Sequence, residues 1–383
     1  MTISNARMDL TVATRLRGKT APAPFQRDDA TVETDVLLET ACDQLRGSPA
    51  QTVRAMFDLQ FGLEQIKSGT SPQVWQSVIA QCQAHPVSQL LWQDPFTHHS
   101  YAKPKGYSGD AQLLDFLYGL TDVPAGTTSL GASVFGHMMR QQGALSVRSR
   151  GEILANLIDE TAEQFDNPRI LSIACGHLRE GAHSSALMGG RVAEFVALDQ
   201  DEDSLAEVDR AYKAKNVRTV NCSVRAILAG RVKLEGFHLV YAAGLYDYLA
   251  ERVATRLTRM MFDMVVSGGR ILVANFAPTL PEVGYMETFM DWKLIYRTAE
   301  EMSLLSNEVS GSEWKSRRLF WDEHENIIFL DMIKRSGKVA PNRFDAAGDP
   351  QKVVVPGLKN VTIAPAVTRA SRSSRRGSPP SAH

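Results

Sequence analysis

Apolar residues recur along this chain with two different periods, and the change falls at Pro168. From about Thr31 to Phe165 the period is helical. In QTVRAMFDLQFGLEQIKSG, Met56, Leu59, Leu63 and Ile66 stand at i, i+3, i+7 and i+10, one face of a helix. Ser71-Pro72 reads as an N-cap with proline at the first helical position, opening QVWQSVIAQCQAH. GEILANLIDETAEQF sets Ile153, Leu154, Leu157, Ile158 and Phe165 on one side, and Asn167-Pro168 stops it. After Pro168, short apolar runs of strand length appear: RILSIAC, EFVALD, FHLVYAA, GRILVANF and, later, NIIFLDMIKR. Helical stretches lie between them, among them ERVATRLTRMMFDMVVSGG with Val253, Leu257, Met260, Met261 and Met264 on one face. Strands alternating with helices predict an α/β fold with a parallel, doubly wound sheet, preceded by an all-α domain. The expected organisation is a disordered arm over 1–30, a helical domain over 31–165, an α/β domain over 166–335 and a disordered Arg/Ser/Pro tail over 336–383. No internal repeat is visible.

Composition changes this picture little. The 383 residues carry 42 Lys and Arg against 43 Asp and Glu, a net charge of −1, so no bulk charge points to nucleic acid or an anionic membrane. No apolar run approaches the ~18 residues of a membrane span. The N-terminus has basic residues but no apolar core of a secretory signal, and its Arg/Thr-rich, acid-poor start is read as disorder rather than as a transit peptide. Cys42, Cys82, Cys175 and Cys222 form no C-x-x-C pair and no metal-ligand spacing with histidine, and neither His98-His99 nor His177 with His183 gains a third ligand nearby. The expectation is a soluble, reduced, cytoplasmic protein without a metal.

The stretch that carries chemistry is RILSIACGHLREGAHSSALMGGRVAEFVALD. A strand runs into a turn at Ala174-Cys175-Gly176, a helix follows, and the next strand ends in Asp199, about 20 residues on, where a carboxylate receives both hydroxyls of a ribose. Three readings stay open here. A dinucleotide wants G-x-G-x-x-G so that its pyrophosphate can approach the backbone, and Ala174, Gly176 and Arg179 stand at those places. S-adenosylmethionine has no phosphate: its amino-acid end would rest on the turn, its ribose on Asp199 and its adenine near Asn221-Cys222-Ser223. A plain crossover without ligand is the third. The order FHLVYAAGLYDYL, helix, Val266-Ser267-Gly268-Gly269, RILVANF favours the second.

With these words in place, the chain resembles the class I S-adenosylmethionine-dependent methyltransferases. More narrowly, it resembles the bacterial extracellular-factor (3-hydroxypalmitic acid methyl ester) biosynthesis methyltransferases. The matching words are KPKGYSGDAQLLDFLYG (103–119), ILSIACGHLREG (170–181), FVALDQDEDSL (195–205), LVYAAGLYDYL (239–249), GGRILVANFAP (268–278) and YMETFMDWKLIYRTAEEM (285–302). Together they cover the chain from about 100 to 335, and GYSGD and DWKLIYRT are the specific ones. There are departures: Ser172 replaces the usual acid of the first motif strand, Leu178 a glycine, and His238 an aspartate.

The resemblance implies a Rossmann-like class I methyltransferase sheet under a helical lid, with S-adenosylmethionine as cofactor. It implies cofactor contacts from Tyr107, Asp110, Ala174, Gly176, Asp199, Gln200, Asn221, Ser223, Ala243 and Gly244. Asp110, Glu180 or the Ala174 carbonyl would hold the methionine ammonium, and Glu180 is preferred. Substrate belongs after the fourth strand, at Tyr246 and Asp247, and in the segment from Tyr285 to Arg297. There Tyr285, Met286, Phe289, Trp292 and Tyr296 would wall an apolar pocket, while Lys293 and Arg297, four residues apart, would pair with an anion. Tyr246, Asp247, Tyr285 and Arg297 are the catalytic candidates. A carboxylate acceptor is already ionised and needs only a cation and an apolar tunnel, whereas an alcohol or amine needs a general base. The implied activity is methyl-ester formation on a (3-hydroxy) fatty acid or similar small acid. Methylation of another small metabolite on oxygen or nitrogen, or cofactor binding without catalysis, are the alternatives. A small-molecule acceptor is expected, with no nucleic acid, no membrane insertion, and a homodimer left open.

Overall fold

The structure is a computed structural model that describes residues 27–337 and 360–361. The proposed arm before residue 27, and the proposed tail apart from residues 336–337 and 360–361, lie outside the described residues. Eight helices come first: α1 (Arg27–Leu45), α2 (Pro49–Gly69), α3 (Pro72–Ala84), α4 (Val87–Leu91), α5 (Pro95–Ala102), α6 (Ala111–Leu117), α7 (Ser129–Met138) and α8 (Gln142–Gln164). Helix α1 thus begins inside the stretch expected to be an arm. Ser71 caps α3 by accepting from the Val74 N–H, with Pro72 at the first position. Met56, Leu59, Leu63 and Ile66 of α2 are fully buried. Each contributes about 1.5–3 kcal/mol relative to exposure, which explains why the periodic face was readable in sequence.

The second half supplies β1 (Arg169–Ile173), α9 (Ser185–Met188), β2 (Glu194–Asp199), α10 (Glu202–Ala211), β3 (Val217–Asn221), α11 (Val224–Leu228), β4 (Phe237–Ala243), α12 (Glu251–Met264), β5 (Val265–Phe276), α13 (Val283–Phe289), α14 (Ala299–Leu304), β6 (Trp314–Trp321) and β7 (Ile327–Lys334). A two-residue strand, β8 (Asn360–Val361), pairs with β6 at the edge. The sheet order is β3-β2-β1-β4-β5-β7-β6-β8. Strands β1 to β5 are mutually parallel, while β7 runs antiparallel to both β5 and β6. The reversal between β1 and β4 makes this a Rossmann-like, doubly wound sheet with its switch point there. Alternate residues divide between two cores. Leu239 and Tyr241 face the helical layer, and Val240 and Ala242 face the side of α12.

The helical region and the sheet share one apolar core, which runs without a break from Ala30 to Phe329. Helix α13 joins them. It packs on α2 and α3, and Gly284 passes so close to the Leu63 backbone that a Cβ there would lie 3.0 Å from it. Glu287 of α13 receives Lys67 Nζ and Trp75 Nε1, both at 2.6 Å. The aromatic segment expected to wall the substrate pocket is therefore in part the joint between layers.

Candidate active site

The carboxyl ends of β1, β2 and β4 open into a cavity of about 400 Å³, closed from above by α6, α8 and the strap 103–110. That volume suits a ligand of nucleoside size. The turn after β1 holds Ala174, Gly176 and Leu178 all in the left-handed region, with φ of 55°, 52° and 52°. Glycine would adopt this freely, whereas alanine and leucine are strained by about 1–2 kcal/mol each. Leucine at 178 is held there by complete burial. The strained turn presents its backbone to the cavity, and Asp199 at the end of β2 braces it. Asp199 Oδ2 accepts the Gly176 N–H at 2.8 Å and Oδ1 accepts the Asp201 N–H at 3.0 Å. Each oxygen keeps a free lone pair for a ligand hydroxyl.

Glu180, in a short 3-10 helix (Arg179–His183), lies deep in the cavity and accepts the Tyr241 hydroxyl at 2.7 Å. Burial raises its pKa, and no cation pairs with it within 4.0 Å among the described residues. Arg179 and His177, on the same turn, are tied to α6. Arg179 grips Asp115 with Nε and Nη2, both at 2.7 Å, and His177 Nδ1 lies 2.9 Å from the same carboxylate. Burial works against the Asp115 charge, but these partners bring its pKa below the ordinary range.

The strap is latched at its start by Lys103 and Lys105 and further on by Ser108, whose hydroxyl donates to the Asp291 carbonyl at 2.9 Å. Lys105 pairs with Asp201 and Asp203 beside Asp199, and Lys103 pairs with Asp291. Between the latches Tyr107 lines the cavity, its hydroxyl pKa raised to about 12 by burial and then by the charge of Asp199. Gly109 passes under the Tyr248 hydroxyl and Trp292, where a Cβ would lie 2.4 Å and 2.7 Å from them.

Of the cofactor residues expected from sequence, Tyr107, Ala174, Gly176, Glu180, Asp199, Gln200, Ala243 and Gly244 line this cavity together. Three do not. Asp110 caps α6 through the Leu113 N–H and turns its carboxylate to His99 Nε2 at 2.9 Å. Asn221 donates to the Gln200 carbonyl, and Ser223 caps α11. Cys222 and Val224 form the wall there instead.

The catalytic candidates are dispersed. Tyr246 is fully buried, its hydroxyl against Thr258 at 2.9 Å on the α12 side of the sheet. Tyr285 is equally buried, against Thr97 at 3.1 Å. Arg297 donates to the carbonyls of Tyr246 and Leu249 and to Asn275 Oδ1, so its fork is consumed in fixing the loop after β4. Lys293 is half exposed, 3.4 Å from Gln76. Only Asp247 borders open space: it lines a small cavity of about 20 Å³ beside Arg150 and Tyr248, accepts the Phe276 N–H at 2.7 Å, and has its pKa raised to about 6 by burial.

Sequence reasoning missed Arg150, Tyr118, Ser172 and Tyr241 as cavity walls. Arg150 comes from α8, is 4% exposed, and has a buried Nε without a partner.

No family model matches the chain, and no curated protein matches it. Among solved structures, the chain is similar to one titled a possible exported protein from Bordetella parapertussis. The two share 12% identity over 80% of this chain and 97% of that one, with a TM-score of 0.50. It is also similar to the N-methyltransferase NodS from Bradyrhizobium japonicum WM9 (13% identity, 49% and 97% of the two chains, TM-score 0.36). A third is the magnesium protoporphyrin IX methyltransferase ChlM from Synechocystis PCC 6803 (9%, 62% and 98%, TM-score 0.42). The first likeness is one of fold alone, and the other two fall below a TM-score of 0.5 and support nothing further. The fold is the Rossmann-like, doubly wound α/β type with a helical layer over its carboxyl edge. No described helix is long and apolar enough to cross a membrane.

Proposed function

We propose that this protein is an S-adenosylmethionine-dependent methyltransferase of the cytoplasm that esterifies the carboxylate of a (3-hydroxy) fatty acid or similar small acid. The observation that carries the cofactor reading is the pairing of two carboxylates in one cavity at the switch point. Asp199 has free lone pairs at the β2 end, and the buried Glu180 has no cation of its own. A ribose diol fits the first and an ammonium the second, while the turn has one glycine where a pyrophosphate site wants three. When bound, the cofactor supplies a sulfonium methyl group: an O–CH3 bond forms to the acceptor, the S–CH3 bond breaks, and the electron pair stays on sulfur.

In this reading Asp199 holds the ribose, Glu180 the ammonium, and Gln200, Cys222 and Val224 border the base. Tyr107 and its strap close the cavity, and exclusion of water strengthens each electrostatic contact inside. A carboxylate acceptor requires no proton transfer, only a cation and an apolar surface. The specific words shared with the extracellular-factor methyltransferases support that acceptor. A second reading rests on Asp247, whose pKa near 6 and position beside the smaller cavity suit a general base for a hydroxyl or amine.

The test is calorimetric titration of the full chain with S-adenosylmethionine and S-adenosylhomocysteine, with Asp199→Ala alongside. Binding that the variant loses supports the reading, and folded protein that binds neither compound overturns it. Binding without turnover on acids, alcohols or amines would leave a non-catalytic cofactor-binding protein.

A further inference from the structure

Arg150 lines two adjoining cavities, and a third continues from the smaller of them. The large one reaches it beside Gly244 and Tyr248, and the same three residues line the cavity of about 20 Å³. That cavity shares Val147, Phe276 and Trp292 with a third, of about 40 Å³, whose end is walled by Met138, Met286 and Met290. The third is apolar except at Gln141 and Glu282, and the Glu282 carboxylate is occupied by the N–H groups of Gln142 and Gly143. The chain thus sets a guanidinium between a cofactor-sized space and a small apolar pocket.

A buried guanidinium is costly unless it is paired. The other buried arginine, Arg297, is held by carbonyls, and the partly buried Arg270 is paired with Asp331. Arg150 has the Tyr118 hydroxyl beside it, but no described carboxylate lies within 4.0 Å, and its Nε is buried without an acceptor. Glu180 and Asp247 act on it only from beyond that distance. Its planar fork matches a carboxylate, which can take two parallel N–H donors.

We propose that Arg150 anchors the carboxylate of the acceptor at this junction, and that the pocket of Val147, Phe276, Trp292, Met286 and Met290 takes the first carbons of its apolar tail. The proposal rests on the methyltransferase reading for the need of a carboxylate at the edge of the large cavity. It replaces Arg297 and Lys293, which the fold commits elsewhere. The pocket of about 40 Å³ accommodates only a few carbons. Longer tails enter by displacing methionines, the side chains best able to repack.

The experiment titrates straight-chain carboxylic acids of four to twelve carbons, and the matching primary amides, into full-length protein saturated with S-adenosylhomocysteine. Acids are expected to bind the wild type and to bind Arg150→Gln at least tenfold more weakly. Amides should bind both proteins weakly and alike, and S-adenosylhomocysteine affinity should stay within threefold. Equal acid binding by the variant, or no acid bound by the wild type, overturns the proposal. So does a tenfold loss of S-adenosylhomocysteine affinity in Arg150→Gln, which would give Arg150 to the cofactor's own carboxylate. Should Arg150→Gln fail to fold, Ala144→Phe fills the apolar pocket. It should weaken the acids at least tenfold while S-adenosylhomocysteine affinity stays within threefold, and unchanged acid binding overturns the tail site. If the wild type binds no S-adenosylhomocysteine, the cofactor reading falls, and the same titration on free protein still decides for or against Arg150.

Discussion

Replacing Arg297 by alanine separates a structural clamp from a substrate contact. Arg297 is 3% exposed and reaches three acceptors: the Tyr246 carbonyl at 2.7 Å, the Leu249 carbonyl and Asn275 Oδ1. Its own N–H donates to the Phe276 carbonyl at 3.0 Å, a bond that alanine would keep. Removing the side chain takes one donor from each of the three acceptors, at about 1–3 kcal/mol each, although the Tyr246 carbonyl keeps the Leu249 N–H at 3.1 Å. The three share one donor group and so are not additive, and partial entry of water lowers the total. The expected loss is about 3–5 kcal/mol, a large part of the ~5–15 kcal/mol that holds a domain folded. Arg297→Lys keeps the charge but cannot reach three acceptors with one ammonium, so it should recover at most about 2 kcal/mol. Urea unfolding followed by tryptophan fluorescence measures both variants. The loop from Leu245 to Leu249 borders the large cavity, so S-adenosylhomocysteine affinity should weaken in step with stability. An Arg297→Ala protein within about 0.5 kcal/mol of wild-type stability that has lost acid binding would refute the clamp and return Arg297 to the acceptor.

Three further outcomes are expected. Asp199→Asn removes charge from the two ribose contacts proposed for it, worth about 1.5–3 kcal/mol, so S-adenosylhomocysteine should bind roughly 10- to 150-fold more weakly by calorimetry; unchanged affinity would remove Asp199 from the ribose. Burial raises the pKa of Glu282 to about 7 and of Asp94 to about 6. Between pH ~4.5 and ~7 the folded state therefore holds protons that the unfolded chain has released, and stability declines as pH rises through that window. The melting temperature should be higher at pH 5.5 than at pH 8, and Glu282→Gln should flatten the slope; a melting temperature that rises with pH would sink this account. Ala174→Gly should relieve the left-handed strain at φ 55° and raise stability by about 1 kcal/mol, while Leu178→Gly should lower it by losing a fully buried side chain; thermal melts of both check the pair.

The architecture was legible where a period or a stop dominates locally. Ser71-Pro72 caps α3 by a bond between residues three apart, and the α2 face at Met56, Leu59, Leu63 and Ile66 needs only a core somewhere. The doubly wound sheet followed from the alternation of strand runs and helices, because parallel strands require crossovers. The segment after β5 was the hardest to place. Tyr285, Phe289 and Trp292 look alike as apolar aromatics. One hydrogen-bonds Thr97 in the interlayer core, one packs on it at 5.4 Å, and one borders the small cavities. Which of these an aromatic does depends on helices two hundred residues earlier in the chain, and no local pattern encodes that.

The same distinction explains the site. Asp199 and the turn at Ala174-Cys175-Gly176 were readable because strand, turn and strand end are fixed by spacing within one crossover. Arg150 was not, since it reaches the sheet edge only by tertiary packing of α8. A signal was nevertheless present. Arg150 shares the apolar stripe of its helix with Val147 and Leu154, and the positions three and four residues away on either side are Val147, Ser146, Ile153 and Leu154. An ordinary surface arginine has an acid at such a position, as Arg54 has Asp58 at 2.6 Å. An arginine on the buried face with no local acid must find its counter-charge elsewhere in the fold or in a ligand. In this fold the described carboxylates stop short of it. The guanidinium thus has no ion pair in contact and a buried Nε without an acceptor, and on that ground an anion is proposed at the junction of the cavities.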